Sequence, residues 1–472
     1  MNKLDFYLFH LMPYPFIPPG EELESTWVTL SNRHYEPEVG HRLYNEYLEE
    51  LIAGERMGYD GICVNEHHQN AYGTMPAPDL MAAYIAARTE RIPIGIIGNA
   101  LPLHSNPLRV AEEIAMLDVL SGGRIISGFV RGTGMEYHSQ GANPAWSQPR
   151  FWEAHDLIVK AWTEDGPFEW QGDHYHVPYV NPWPKPLQKP HPPVWLPGTG
   201  SFETIAKAAK HRYPFMMVFA PQWFTKAAYD MYRRAAEEAG YEASPKQLAA
   251  AIPAYVAETE EQAHREARPH IMWLFQNGLK IPSYHWFPPG YMTKKSLANM
   301  LGAKVKHNMK NHWEMTYEEL VEERYVIVGS KDTVIERLTE LTDDLGAGMV
   351  LGAGGHSGSM PHWQVMKNMQ LMAEEVIPHF REPDGKPTYL KEDRPGVLTR
   401  TEHAATVGEP ELSPQVRFDG EYVDPRTAYI PEVAERIGPT PPVSGDGAGS
   451  GDGASAGTDR EAPADEAAGR SS

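Results

Sequence analysis

The sequence predicts an α/β protein: a (β/α)8 TIM-like barrel with insertions, an irregular C-terminal arm and a disordered tail. Three observations lead there. Eight short apolar runs recur through residues 3–380. Several are apolar at every position, as strands buried on both faces of a parallel sheet are. Helix-like periodicity fills the stretches between them. A count of eight favours the closed barrel over an open doubly wound sheet.

In chain order, the strand runs are LDFYLFHLM (4–12), GICVNEHH (61–68), IPIGIIGN (92–99), GRIISGFVRG (123–132), PVWLPG (193–198), PFMMVF (214–219), AAAIPAYVAE (249–258) and AGMVLGA (347–353). Helices are expected over 42–57, 107–120, 201–210, 224–239, 331–345 and 360–376. The first places Leu43, Tyr47, Leu51 and Ile52 on one stripe before Gly58. The second starts with Asn106 and Pro107 and stops at SGG (121–123), the usual start and stop chemistry. Ser330 is an expected N-cap for 331–345. Insertions fall at 13–40, 164–192 and 276–322, and loops of that length carry function or short elements of their own.

The barrel is expected over 1–380 and the arm, rich in proline and charge, over 381–438. The arm should pack on the barrel or on a partner subunit. Residues 439–472 contain no aromatic residue and one large aliphatic, Val443, among six acids and two bases. Such a segment buries too little apolar surface to offset its ordering entropy.

The 472 residues carry a formal net charge of −21, which disfavours nucleic acid and anionic membrane as partners. Cys63 is the single cysteine, so an internal disulfide and a cysteine-based zinc site are excluded. No apolar run approaches the ~18 residues of a spanning helix, and MNKLDFYLFHLMPYP lacks a signal-peptide pattern. The expected location is cytoplasmic.

Four stretches can carry chemistry. Glu66-His67-His68 ends the second strand run, on the barrel rim that carries reactive groups. A histidine there can exchange a proton near neutral pH; the bland reading is a hydrogen-bonded structural pair. No HExxH or CxxC spacing occurs, so no metal set is expected there, and His174 and His176 read as surface residues of an insertion. GTGSFET (198–204), with Gly198, Thr199, Gly200, Ser201 and Thr204, lies between a strand and a helix and can bind an anion through helix amides. Glycine turns at such joints are also common without a ligand. Arg131, at the end of the fourth strand run, needs either an anionic ligand or a neighbouring acid. GAGGHSGSMP (352–361), with His356, reads as a lid, a second anion site or a plain connection.

NEHH (65–68), IGIIGNALPLHSNPLRVAEEIAMLDVLSGGRIISGFVRG (94–132), PGTGSFETIAKAA (197–209) and VGSKDTVIERL (328–338) together resemble the bacterial luciferase-like, flavin-dependent monooxygenase family in order and spacing. The resemblance covers about residues 3–380. It implies a TIM-like barrel and reduced FMN delivered by a separate reductase. It also implies O2 chemistry through a peroxyflavin and insertion of one oxygen atom into a small organic substrate. By the same resemblance His67, with His68 second, is the catalytic partner, and the backbone of Glu66 lies beside the ring. Ile97 and Gly98 stand where the family often has a non-prolyl cis peptide, with Asn99 able to reach the ring's polar edge. Arg131, Ser201 and Thr204 match phosphate-binding positions. Val130 stands where luciferase has a reactive cysteine. The family also implies a homodimer. Tyr14, Phe16, Trp27, Asn143, Trp146, Trp183 and Trp195 either give the mouth an aromatic character, which favours an apolar or aromatic substrate, or simply pack the insertions. The alternatives are a deazaflavin-dependent hydride-transfer enzyme, which uses no O2, and a flavin-binding protein without catalysis.

Overall fold

Eight parallel strands close into a barrel: β1 (Asp5–Phe9), β2 (Gly61–Val64), β3 (Ile94–Ala100), β4 (Ile125–Val130), β5 (Val194–Gly198), β6 (Phe215–Met217), β7 (Leu248–Val256) and β8 (Met349–Ala353). They are the eight runs expected from the sequence. The computed structural model describes residues 3–407 except 20–21, 199, 308–309, 392–396 and 398. Thr199, most of the expected arm and the whole expected tail therefore lie outside the described residues. Closure is made where Asp5 of β1 pairs with Met349 of β8 and Phe215 of β6 pairs with Leu248 of β7.

A strand at Ile327–Gly329 was not expected. It pairs in parallel with the end of β7, Ile327 opposite Ala254, outside the barrel ring. The apolar run around it, Tyr325–Val328, is shorter than any of the eight expected runs. The insertion at 164–192 forms an antiparallel hairpin, Phe168–Gln171 with His176–Val180. The insertion at 276–322 holds the helices Ser283–Trp286, Lys294–Lys306 and Tyr317–Glu322.

Local chemistry explains the helices that position the site. The helix α1 (Pro37–Met57) starts on Pro37 and ends on Gly58 at φ 82°, so it begins five residues before the expected start. Its buried face includes Leu43, Tyr47, Leu51 and Ile52. The helix α2 is Pro78–Ala86. In α3 (Pro107–Leu120) the Asn106 side chain accepts from the Leu108 amide, as an N-cap should. Ser330 occupies the N-cap of Lys331–Leu345 without a side-chain capping bond. The last expected helix is split into His362–Leu371, a π turn at Met372–Val376 and a 3-10 turn at Ile377–Phe380.

The core has two parts. The larger fills the space between strands and helices. The smaller lies inside the barrel, where Cys63, Ile97, Ile126, Trp195, Met216, Ala249, Met349 and Leu351 meet. After the barrel, Asp60 accepts from Arg381 Nη2 (2.8 Å) and from the Thr388 amide (3.0 Å), and Tyr389 is buried. The chain divides into units 1–403 and 404–472; of the second, only 404–407 are described, ending the helix Arg400–Val407. Among the described residues no helix is long and apolar enough to cross a membrane.

Candidate active site

A cavity opens at the C-terminal ends of the strands. Its floor and walls come from Phe9 and Leu351, Asn65 to His67, Ile97 and Gly98, Val130 to Gly134, and Gly198. The Ile97–Gly98 peptide is cis and lines the cavity. Close approach of β3 and β4 requires glycine here: a Cβ on Gly98 would sit 2.3 Å from the Gly128 carbonyl oxygen.

His67 faces this cavity. Its ring stands edge-on to Trp27 and Tyr72, with centroids 5.2 and 5.1 Å away. Its Nδ1 lies 3.0 Å from Glu136 Oε1. Glu136 sits in a one-and-a-half-turn helix, Gly134–Ser139, capped by Thr133. Its Oε2 accepts from the Thr133 amide (2.9 Å) and hydroxyl (2.7 Å), and its Oε1 also accepts from the His68 amide (3.0 Å). Burial pushes this carboxyl up, but the His67 ring and the Thr133 bonds outweigh burial and hold it below the usual range. An ionised Glu136 makes Nδ1 the donor. The Nε2 atom is then left to the cavity, and no partner takes it among the described residues.

His68 turns the other way. Its Nε2 lies 2.6 Å from Glu66 Oε1, while Glu66 Oε2 accepts from the Ala100 amide (2.9 Å) and faces His104 Nε2 at 3.3 Å. Burial alone would raise Glu66; the His104 and His68 rings pull it to about 2. The same contacts raise His68 and His104 against the opposing effect of burial. Glu66 thus ties the end of β2 to the backbone just after the cis peptide. The two neighbouring side chains thus part beyond the end of β2, and the cavity receives only the first.

Asn99 does not reach the cavity. Its Nδ2 donates to Asp79 Oδ2 (3.0 Å) on α2, and burial, tempered by this bond, pushes Asp79 up to about 6. Asn65 is the amide that faces the cavity, and its buried Oδ1 has no partner among the described residues.

The same cavity also carries a cation, Arg131. Arg131 lies over the Tyr291 ring at 4.4 Å and donates through Nη1 to the Tyr291 carbonyl (3.1 Å) and Ser147 Oγ (3.3 Å). Among the described residues no carboxylate lies within 4.0 Å of it. Gly198, Ser201 and Thr204 line the same cavity. Gly200 takes φ +91° in the turn. Ser201 is the N-cap residue of the helix Phe202–Lys210, but its hydroxyl donates to Glu203 (3.0 Å) and leaves the first-turn amides without a side-chain cap.

The expected aromatic mouth is corrected by the structure. Trp27 is buried behind the cavity wall, stacked on Tyr72, with its Nε1 donating to the Gly278 carbonyl (2.8 Å). Tyr14 is buried, Trp195 fills the barrel interior, and Phe16, Trp146 and Trp183 are exposed. The aromatic lining comes instead from Tyr72, Phe219, Trp286, Phe287 and Tyr291. His174 lies in the hairpin region beside Trp146, and His356 points away from the cavity toward His10. Sequence reasoning missed Glu136, Asn65 and the 286–291 segment. The Thr133-x-x-Glu136 pattern, a capping-box signature directly after the fourth strand, could have marked Glu136.

Comparison with known proteins agrees with this geometry. The luciferase-like monooxygenase family matches over residues 25–348. The chain is 32% identical over 158 residues to the oxygenase component of flavin-dependent trigonelline monooxygenase of Acinetobacter baylyi, a match over 33% of this chain and 43% of that one. It thus spans less than half the length of that relative. Among solved structures, the FMN complex of the oxygenating constituent of 3,6-diketocamphane monooxygenase from Pseudomonas putida superimposes with a TM-score of 0.62 at 20% identity, covering 80% of this chain and 100% of that one. The coenzyme F420-dependent tetrahydromethanopterin reductase of Methanopyrus kandleri does so with 0.53 at 17%, covering 80% and 99%. The chain belongs to the luciferase-like monooxygenases and is an oxidoreductase.

Proposed function

We propose that this protein is the oxygenase half of a two-component system. It takes reduced FMN from a separate reductase, consumes O2, and places one oxygen atom in a small apolar or aromatic organic substrate while the other leaves as water. One observation carries this reading. A single cavity presents a cation without a carboxylate partner among the described residues together with a histidine whose free nitrogen is set by a buried carboxylate.

The residues fit a flavin mononucleotide. Arg131, Ser201, Thr204 and the helix amides would hold the phosphate. The unpartnered Asn65 Oδ1 suits a ring N–H donor, and the Gly98 backbone allows the flat wall a ring needs. Bound reduced flavin supplies the electrons and the oxygen-activating chemistry. The chain supplies placement and water exclusion. His67 holds or moves a proton at Nε2, with Glu136 fixing its tautomer through Nδ1. Trp286, Phe287 and Tyr291 keep the mouth dry and favour an apolar substrate.

A homodimer is the matching assembly. Leu80 and Leu120 are 69% and 64% exposed, and with Tyr84, Met116 and Val119 they leave an apolar face on α2 and α3. A cytoplasmic location accords with the need for a reductase partner. The rival reading, hydride transfer with a deazaflavin, draws on the likeness to the F420-dependent reductase. Anaerobic fluorescence titration separates the two: FMN should bind and weaken in Arg131→Met, whereas preferential binding of the deazaflavin would overturn the FMN reading.

A further inference from the structure

Behind the cavity wall lies a second group of histidines that the proposed reaction does not use. His10 follows β1 between Phe9 and Leu11, which line the cavity, but it points the other way. It meets Glu50 of α1 and His356 of the glycine-rich segment 352–361. We propose that His10, Glu50 and His356 form a binding site for a divalent transition metal of the zinc type, separate from the candidate active site.

Three observations support it. The donor atoms of the three residues all lie within 4.8 Å of one another, and His10 Nε2 is 3.0 Å from Glu50 Oε2. Ligands about 2.0–2.1 Å from a tetrahedral zinc stand roughly 3.3 Å apart, so a small adjustment suffices. The second observation is His356 Nε2, which is buried and has no partner among the described residues. The same ring also bonds the Met360 backbone, so the unpartnered nitrogen keeps its lone pair. The third is outer support: His362 Nδ1 lies 3.0 Å from Glu50 Oε1 and fixes the carboxylate from outside. Two imidazoles and a carboxylate suit zinc, cobalt or nickel better than calcium or magnesium.

The site has a cost that shapes its behaviour. The Met12 amide donates to His10 Nδ1 at 2.8 Å, so His10 carries its proton on Nε2 and gives it to Glu50. An ion at Nε2 needs that proton moved to Nδ1, which breaks the Met12 contact. Met12 sits at φ +53°, and its carbonyl accepts from the Thr74 amide and hydroxyl. Metal binding is therefore coupled to the 10–12 segment, which adjoins the cavity through Leu11. It should release protons and weaken as pH falls.

The test is a titration of untagged, chelator-treated, full-length protein with Co2+, read by visible absorption, with equilibrium dialysis against Zn2+. The expected result is one ion per chain, a tetrahedral-type spectrum, proton release in lightly buffered solution, and a rise in Tm. Glu50→Gln and His356→Gln should each lose at least tenfold in affinity, while His174→Gln should bind as the parent does. Circular dichroism establishes that the variants fold; if one does not, the wild-type spectrum and proton release decide. Absence of one-to-one binding, or binding unchanged in a folded His356→Gln, would overturn the proposal in favour of a purely structural hydrogen-bond cluster.

Discussion

Two buried glutamates, one on each side of the same barrel wall, meet opposite fates. Glu66 accepts from the Ala100 amide and contacts His68 and His104, and sits near pKa 2. Glu50 contacts His10 and His362 and is pushed up to about 7. Burial raises both carboxyls. The difference lies in what faces them. Two histidines with raised pKa values and a backbone amide overcome burial at Glu66. At Glu50 one of the two histidines, His10, is itself buried and held well below its ordinary range, so it contributes little positive charge. The first region keeps fixed charge beside a cavity, and its neighbour Glu136 holds the His67 ring through Nδ1. The second holds a buried carboxyl among imidazoles that are buried or partly buried. The same residue types yield a reactive rim or a buried cluster according to donor count and access.

The strongest way to break this contrast is His67→Ala. Loss of a positioned acid–base group typically costs about 10²–10⁴-fold, and oxygenation measured by product formation with excess reduced FMN should fall by that order. FMN affinity should hold. A matching change on the Glu50 side, His362→Gln, should lower Tm and leave the flavin reaction unaltered; equal losses from both variants would erase the distinction. Glu136→Gln should follow, with kcat down on the order of tenfold to a hundredfold, because Nδ1 no longer has a fixed anionic acceptor. Its pH–rate profile should also move, which a merely structural role would not cause. Arg131→Met removes charge-assisted bonds worth about 1.5–3 kcal/mol, so the FMN dissociation constant should rise roughly ten- to a hundredfold with little change in the rate at saturation.

The smallest effect is on stability against pH. Glu66 is depressed in the folded state, so between about pH 4.5 and 2 the unfolded chain binds the extra proton. Its contribution is present above that window and is lost as pH falls through it. Denaturation midpoints of Glu66→Gln should therefore decline less steeply across pH 4.5 to 2 than those of the parent. Parallel curves would show that the carboxylate is not held ionised.

The barrel was legible because its strands are long apolar runs with glycine and proline punctuation. The strand at Ile327–Gly329 was not: its apolar run, Tyr325–Val328, is four residues against six for the run that holds β6, and its pairing is set by β7. His67 was legible from NEHH just past a strand end, but His68 turns away in a segment beyond β2 where no strand period applies. Arg131 and Ser201 stood out by residue type and position. Asn99 misled, because nothing in a single chain announces that Asp79, twenty residues earlier, takes its amide. The cavity aromatics were misassigned for a similar reason: Trp286, Phe287 and Tyr291 arrive from an insertion whose path over Gly134 depends on tertiary packing. The His10–Glu50–His356 group draws on β1, α1 and the segment after β8, a spacing that no local motif encodes.

The central claim is that His67 serves oxygen chemistry on a bound flavin. Rapid mixing of the anaerobic complex of protein and reduced FMN with oxygenated buffer, followed by flavin absorbance, tests it most directly. The account expects the oxidised-flavin spectrum to return after a lag, more slowly than with free reduced FMN, and the lag to vanish in His67→Ala. Return at the free-flavin rate in the parent protein, or a lag untouched by the substitution, would contradict it.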